Sequence, residues 1–220
     1  AGEFVRIGNG VWRPTADGWY SNATVQTVSA VAGPPMEHYF ASWSGETNGC
    51  AFAGEQILAP MDRARSLAAE FLPYRRIIGT AGPHGLVLPD DSGLLTNGAG
   101  FRFEFRPDPH YHVADVEVNG ISIGATDVYT FTNVTCNQTI HADFAIDRYT
   151  LAISSAHGTS RPAGVVTGDW NSIQQVSVGG SPEPYGVTQY VCVGWTGSGS
   201  VPATGTGTNC GPFLLARAST

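Results

Sequence analysis

Gly10-Val11-Trp12-Arg13-Pro14, Gly85-Leu86-Val87-Leu88-Pro89 and Gly158-Thr159-Ser160-Arg161-Pro162 repeat one pattern, a glycine and a proline separated by three residues. The copies stand 75 and 73 residues apart, and each follows a short apolar stretch opened by an aromatic: Phe4, Tyr74, Tyr149. Two stretches also close alike, on Arg65-Ser66-Leu67-Ala68-Ala69-Glu70-Phe71 and Thr139-Ile140-His141-Ala142-Asp143-Phe144, so the closing Phe recurs at 73. A fixed period of that length marks a tandem array of small units. The expected units are residues 1–72, 73–146 and 147–220, each small enough to be marginal by itself. Arrays of this kind build reach or surface more readily than a single catalytic pocket.

Composition narrows the class. Gly 28, Pro 14 and 13% charged residues fit turn-rich β structure, and 42% apolar content supplies packed cores. The net charge of −7 argues against nucleic acid and anionic membranes as partners. All eleven basic residues are Arg, so Lys-based catalysis, a P-loop lysine and Lys–Asn cross-links are excluded. No apolar run approaches the ~20 residues of a membrane span. The opening at Ala1, without a signal peptide, fits either a processed terminus or an arbitrary boundary.

Alternation then locates strands. Phe101-Arg102-Phe103-Glu104-Phe105 and Val113-Ala114-Asp115-Val116-Glu117-Val118 have period two. Asn119-Gly120 follows, with Ile121-Ser122-Ile123 after it, a hairpin signal because a type I′ turn needs positive φ at both central residues. Further strands are expected near 4–7, 23–30, 39–43, 56–58, 66–71, 129–132, 139–144, 150–154, 174–178 and 190–193. Asp62 to Glu70 has helical composition, yet its alignment with Gln138 to Phe144 makes it strand. Aligning Pro60, Ala64 and Arg65 with Pro212, Ala216 and Arg217 sets Thr220 opposite Ala68. The last residues of the third closing strand, its aromatic included, thus have no counterpart. Either the parent protein continues or another strand fills the place, with Gly2 to Ile7 of a neighbouring subunit as the expected donor.

Tyr111-His112-Val113-Ala114-Asp115-Val116-Glu117-Val118-Asn119-Gly120, with Tyr129-Thr130-Phe131-Thr132-Asn133-Val134-Thr135 and Thr139 to Phe144, resembles the divergent internalin-type B-repeat modules of bacterial secreted and surface proteins. Trp43-Ser44-Gly45-Glu46-Thr47-Asn48-Gly49-Cys50 with Pro60 to Arg65, and Tyr190-Val191-Cys192-Val193-Gly194-Trp195-Thr196-Gly197, are similar to two further variants, Trp195 matching Trp43. The resemblance covers nearly the whole chain. It implies an all-β fold of three small tandem modules, sandwich or grasp-like, in a linear array. It further implies stalks, spacers or adhesive segments at the bacterial cell surface, and carries over no catalytic residue.

The search for chemistry is otherwise sparse. The four cysteines form no CxxC. Cys192 and Cys210 flank a Gly/Ser/Thr-rich loop, and a bond between them would close about 18 residues, worth around 3 kcal/mol. Cys50 and Cys136 lie in different units and are read as a staple between units or a link between molecules. Both pairings favour an oxidising, extracellular location. Asp108, His110, His112 and Asp115 form the one dense group of metal-ligand types, but Pro107 and Pro109 read it as a solvated loop entry, and no metal is assigned. Asp17, Glu46, Asp90 and Asp91 lack calcium-loop spacing. There is no GxSxG elbow, and no cofactor is expected. Trp43 and Trp195 are read as core anchors, and Trp19 and Trp170, in the variable stretches after the Gly–Pro turns, as the candidate glycan-stacking residues. Asn22-Ala23-Thr24, Asn133-Val134-Thr135 and Asn137-Gln138-Thr139 match glycosylation sequons by chance pattern. The sequence thus predicts a non-enzymatic extracellular structural or adhesive protein, a subunit or segment of a surface fibre or stalk joined through β-strand contacts. Its expected partners are other copies or neighbouring modules, with glycans as a further class. The alternative is a carbohydrate-binding or spacer module of a larger secreted enzyme.

Overall fold

The computed structural model describes residues 3–10, 12–13, 15–33, 37–90 and 93–220, and the fold is all-β. Val11, Pro14, Gly2 and Asp91 lie outside the described residues. Every strand pairing joins residues within 3–73, 75–146 or 148–219.

The middle stretch is the most complete. The first stretch contributes β1 (Glu3–Ile7), β2 (Val25–Ala32), β3 (His38–Gly45), β4 (Ala51–Ala53), β5 (Gln56–Pro60) and β6 (Leu67–Pro73). The second continues with β7 (Arg75–Ala81), β8 (Gly85–Leu88), β9 (Gly93–Leu95), β10 (Phe101–Pro107), β11 (Tyr111–Val118), β12 (Ile121–Ser122), β13 (Val128–Phe131) and β14 (Gln138–Ile146). Here a three-stranded sheet, β13-β10-β8, faces a five-stranded one, β12-β11-β14-β7-β9. Phe103 and Phe105 of β10 and Phe131 of β13 enter one core with Ile77, Val116 and Ile140 of the other sheet. The intervening Arg102, Glu104 and Arg106 point outward and pair along the strand, Arg106 Nε to Glu104 Oε1 at 2.8 Å. Period-two alternation thus separates a dry face from a charged one. Asn119 and Gly120 turn at φ of 53° and 77°, and Val118 pairs with Ile121 across them.

The closing strand β14 is the centre of this arrangement. It runs parallel to β7, Gln138 opposite Ile77 through Ala142 opposite Ala81, and antiparallel to β11. Its Phe144 explains the glycine that opens the second Gly–Pro copy: a Cβ on Gly85 would stand 2.4 Å from the Phe144 ring. A missing side chain on β8 is therefore the seat of an aromatic on β14.

The first stretch repeats part of this plan. β3 pairs antiparallel with β6 as β11 does with β14, and each pairing carries a bulge, at Ala41 and at Ala114, 73 residues apart. Phe71 faces Phe40 where Phe144 faces Val113. Leu67 to Pro73 is strand despite its Ala- and Glu-rich composition, because pairing with β3 and packing on Trp43 and Phe40 outweigh a local preference of a few tenths of a kcal/mol per residue. β1 pairs antiparallel with β2, from Glu3 opposite Ala32 to Ile7 opposite Val28. The expected role of Gly2 to Ile7 as a strand given to a neighbour is therefore corrected: Glu3–Ile7 belongs to its own sheet.

The third stretch is the most divided. It holds β15 (Arg148–Ile153), β16 (Thr159–Arg161), β17 (Gly164–Asp169), β18 (Ser172–Gly179), β19 (Glu183–Tyr185), β20 (Thr188–Tyr190), β21 (Gly194–Thr196), β22 (Thr204–Thr206) and β23 (Asn209–Leu215). β16-β18-β23 form a three-stranded sheet, while β15-β17, β19-β20 and β21-β22 stand as two-stranded ribbons. The continuous strand expected at Tyr190–Val193 is broken: Val191, Cys192 and Val193 carry no ladder. Leu151, Cys210, Phe213 and Leu215 form its buried core.

The seat of Phe144 can be tested directly. Gly85→Ala is expected to cost about 1–3 kcal/mol, the range for overpacking a filled core, read as lost hydrogen-exchange protection at Ile140–Ala142. Combining it with Phe144→Leu should cost less than the sum of the two single changes.

Candidate functional site

Two places in the chain concentrate side chains that the fold alone does not account for: the junctions between stretches and a cleft in the first stretch. At the first junction a single residue, Tyr74, separates β6 from β7. Its backbone N–H donates to the Glu37 carbonyl at 2.8 Å, and its ring lies 5.1 Å from that of Tyr39. The Tyr39 hydroxyl in turn accepts from the Asn97 N–H at 2.9 Å. The second junction has the same economy. Only Asp147 lies between β14 and β15; its N–H donates to the His110 carbonyl at 2.8 Å and its carbonyl accepts from the Trp170 N–H at 2.7 Å. Asp147 Oδ1 stands 3.0 Å from His112 Nδ1. Over this, His110 and Trp170 stack at 3.7 Å with their planes 6° apart.

The cleft has a volume of about 690 Å³ and lies beside the first core. Val5, Val28 and Trp43 form part of its floor, and Asp17, Trp19 and Asn22 contribute from the loop that leads into β2. Trp19 is fully exposed. Beneath, the Arg65 side chain is 2% exposed, and its guanidinium donates to the Pro60, Glu46 and Asn48 carbonyls and to Asp62 Oδ1. A buried charge is tolerated only with such a set of acceptors. In return the Arg65 guanidinium holds the Asp62 carboxyl below the usual carboxylate range. Trp43 and Trp195 are both packed on their cores, but the Trp195 Nε1–H reaches the Asn209 carbonyl at 3.1 Å while the Trp43 Nε1–H is buried without a partner.

The structure divides the two Trp residues singled out in the sequence. Trp19 offers an unobstructed ring. Trp170 does not, because one face is covered by His110 and the residue is half-buried at the junction; its expected glycan-stacking role is corrected to a joint. The sequence pattern gave no sign of this stack, since 60 residues separate the partners.

The two expected disulfides are also corrected. Cys50, Cys136, Cys192 and Cys210 are all free thiols. Cys50 packs against the first core, with the Arg65 Nη1 at 3.7 Å from its sulfur, while Cys136 is exposed beside Gln138 in the second stretch. The Cys192 sulfur faces the carbonyls of Gly194 and Gly207, whereas Cys210 points into the third core. Burial pushes the Cys210 thiol above its ordinary pKa, which keeps it protonated and slow to react.

Nor do the four candidate metal ligands converge. His110 is stacked, His112 faces Asp147, and Asp115 Oδ1 accepts from Ser122 Oγ and the N–H groups of Val116 and Gly124. Among the described residues no group of three His, Cys, Asp or Glu side chains is placed to hold a metal. Among the same residues no helix is long and apolar enough to cross a membrane.

Comparison with known proteins finds no matching family model, no similar curated protein and no similar solved structure.

In protein prepared without reductant, thiol titration is expected to count four free cysteines after denaturation. In the folded chain Cys136 should be modified first and Cys210 last. A count below four would restore the bridges.

Proposed function

We propose that the chain is a non-enzymatic, extracellular structural or adhesive segment of a bacterial surface fibre or stalk, built of three tandem β modules and joined to its neighbours through β-strand contacts. The observation that supports this reading is the pair of one-residue junctions, each covered by an aromatic contact between adjoining stretches. A linker of one residue leaves little freedom to hinge, and stacking of aromatic rings contributes about 0.5–1.5 kcal/mol beyond area burial. Units so joined transmit force and hold spacing. The resemblance to internalin-type B-repeat modules, carried by Tyr111 to Phe144, points the same way.

A second reading, glycan binding, is favoured by one observation: the ring of Trp19 stands fully exposed at a cleft with polar residues at hand. Tryptophan faces offered to solvent suit the apolar faces of sugar rings. It fits an adhesive segment of a fibre as well as a module of a secreted enzyme.

Small-angle X-ray scattering on the chain is expected to give an elongated particle with the cross-section of one module, and Trp170→Ala should broaden its distance distribution by loosening the second joint. A compact globule would overturn the stalk reading. On a glycan array, Trp19→Ala should reduce retention at least tenfold where the parent chain is retained; equal retention would remove the second reading.

A further inference from the structure

The third stretch contains an unfilled strand position, and the second shows what fills it. In the second stretch β14 lies between β7 and β11. In the third, β15 takes the place of β7: Leu151 is 1% exposed where Ile77 is 0%, and Tyr149 opens it as Tyr74 precedes β7. β15 is paired on one side with β17. On the other side a single parallel bridge joins Leu151 to Ser219, where Ile77 meets Gln138. The Ser219 N–H donates to the Thr150 carbonyl and its carbonyl accepts from the Ala152 N–H, both at 2.9 Å. In the second stretch the ladder runs on for four more residues, to Ala142 opposite Ala81; in the third it stops.

The opposite wall is recognisable too. His84 stacks on Tyr111 at 4.2 Å, and His157 stacks on Tyr190 at 3.6 Å, the histidine in each case directly preceding the glycine of the Gly–Pro pattern. Tyr190 therefore stands for Tyr111, and Cys192, two residues on, for Val113, the partner of Phe144. Val191 and Val193 beside it are 54% and 81% exposed and carry no ladder.

Between these walls lies a cavity of about 270 Å³ lined by Gly158 and Cys192, with His157 and Tyr190 at its side. Gly158 and Cys192 are the counterparts of Gly85 and Val113, the two residues that hold Phe144. A cavity of about 150 Å³ admits benzene, so this one has room for a phenylalanine ring.

From these observations we infer that the third stretch is an acceptor for one β-strand, parallel to β15 and antiparallel to Tyr190–Trp195. The strand has the pattern aliphatic, any residue, Ala, acidic, Phe, and its phenylalanine enters the Gly158–Cys192 cavity. The pattern is that of the strands occupying this place elsewhere in the chain, Leu67-Ala68-Ala69-Glu70-Phe71 and Ile140-His141-Ala142-Asp143-Phe144. Main-chain hydrogen bonds supply affinity and the alternate side chains fix register. The inference deepens the strand-contact part of the proposed function and rests on it.

The test adds a synthetic peptide, Gln-Thr-Ile-His-Ala-Asp-Phe-Ala-Ile, the sequence of residues 138–146, to the 220-residue chain. It should bind one to one and bring hydrogen-exchange protection to Ala152–Ile153 and Val191–Val193. The same peptide carrying Phe144→Ala should bind at least tenfold more weakly. Equal binding of the two peptides, or protection confined to the second stretch, would overturn the inference. So would self-association of the chain that persists in excess peptide, because the position would then belong to a second copy. A compact particle in scattering would sink the stalk reading while leaving peptide binding intact; an elongated chain that ignores the peptide would remove the acceptor alone.

Discussion

The ring of Phe144 resting on the bare Cα of Gly85 is the contact on which the best-formed part of this molecule depends. It ties the last strand of the second stretch to the sheet opposite its own. With the parallel pairing of β14 to β7 it closes a chain of contacts that begins and ends next to the junctions. Parallel neighbours at the two ends of a small unit have a consequence for assembly. The first strand of each unit and the last can be joined directly to the units before and after, with no connecting loop. One-residue junctions at Tyr74 and Asp147 follow from that topology.

Much of this was legible in the sequence, for identifiable reasons. Period-two alternation marked Phe101 to Phe105 because one face of β10 is dry and the other carries Arg102, Glu104 and Arg106. The 73-residue recurrence of the closing Phe predicted strand at Leu67–Phe71 where composition alone favoured helix, since the repeat reports a tertiary partner that propensity does not. The failures also have physical causes. Spacing between Cys192 and Cys210 says nothing of side-chain direction, and β23 turns Cys210 inward. Trp170 lies in a variable stretch, and nothing local reveals that His110 waits 60 residues upstream to cover it. The cleft beside Trp19 was invisible for the same reason: its walls come from β1, β2 and β3, and from the turn at Asp62 and Arg63. The glycines, by contrast, were recognised as a pattern, and the structure supplies the reason for only some of them. Gly85 makes room for a ring, whereas Gly158 adopts a φ of +74° and a Cβ there would meet the Gly179 carbonyl.

The aromatic pairs divide into two kinds, and the division separates construction from recognition. Phe40 with Phe71, and Phe103 with Phe131, lie inside single cores. Tyr39 with Tyr74, and His110 with Trp170, lie between adjoining stretches. Trp19 belongs to neither kind, its ring being fully exposed. Fully solvating so large an apolar surface is a cost of about 1.5–3 kcal/mol relative to burying it, which a purely architectural role would not require. This is the physical reason an adhesive function remains attached to the structural one.

The three cores are unequal, and the inequality bears on how the array holds together. The second cluster has ten fully buried residues, the first and third four each. In a chain of small units stability is roughly the sum of each unit's own contribution and that of its interfaces. A well-packed central unit can therefore stabilise weaker neighbours through the junctions it shares with both. The third unit gains least from this arrangement, because its first strand is paired on one flank only and Val191 to Val193 stand without a ladder. Burying those valines and an aromatic ring against the Gly158–Cys192 cavity, at about 25 cal/mol per Å² of apolar surface, would add several kcal/mol where the intrinsic core is smallest. A unit so placed is stable in proportion to its occupancy, and an array ending in one would be strongest where it is joined.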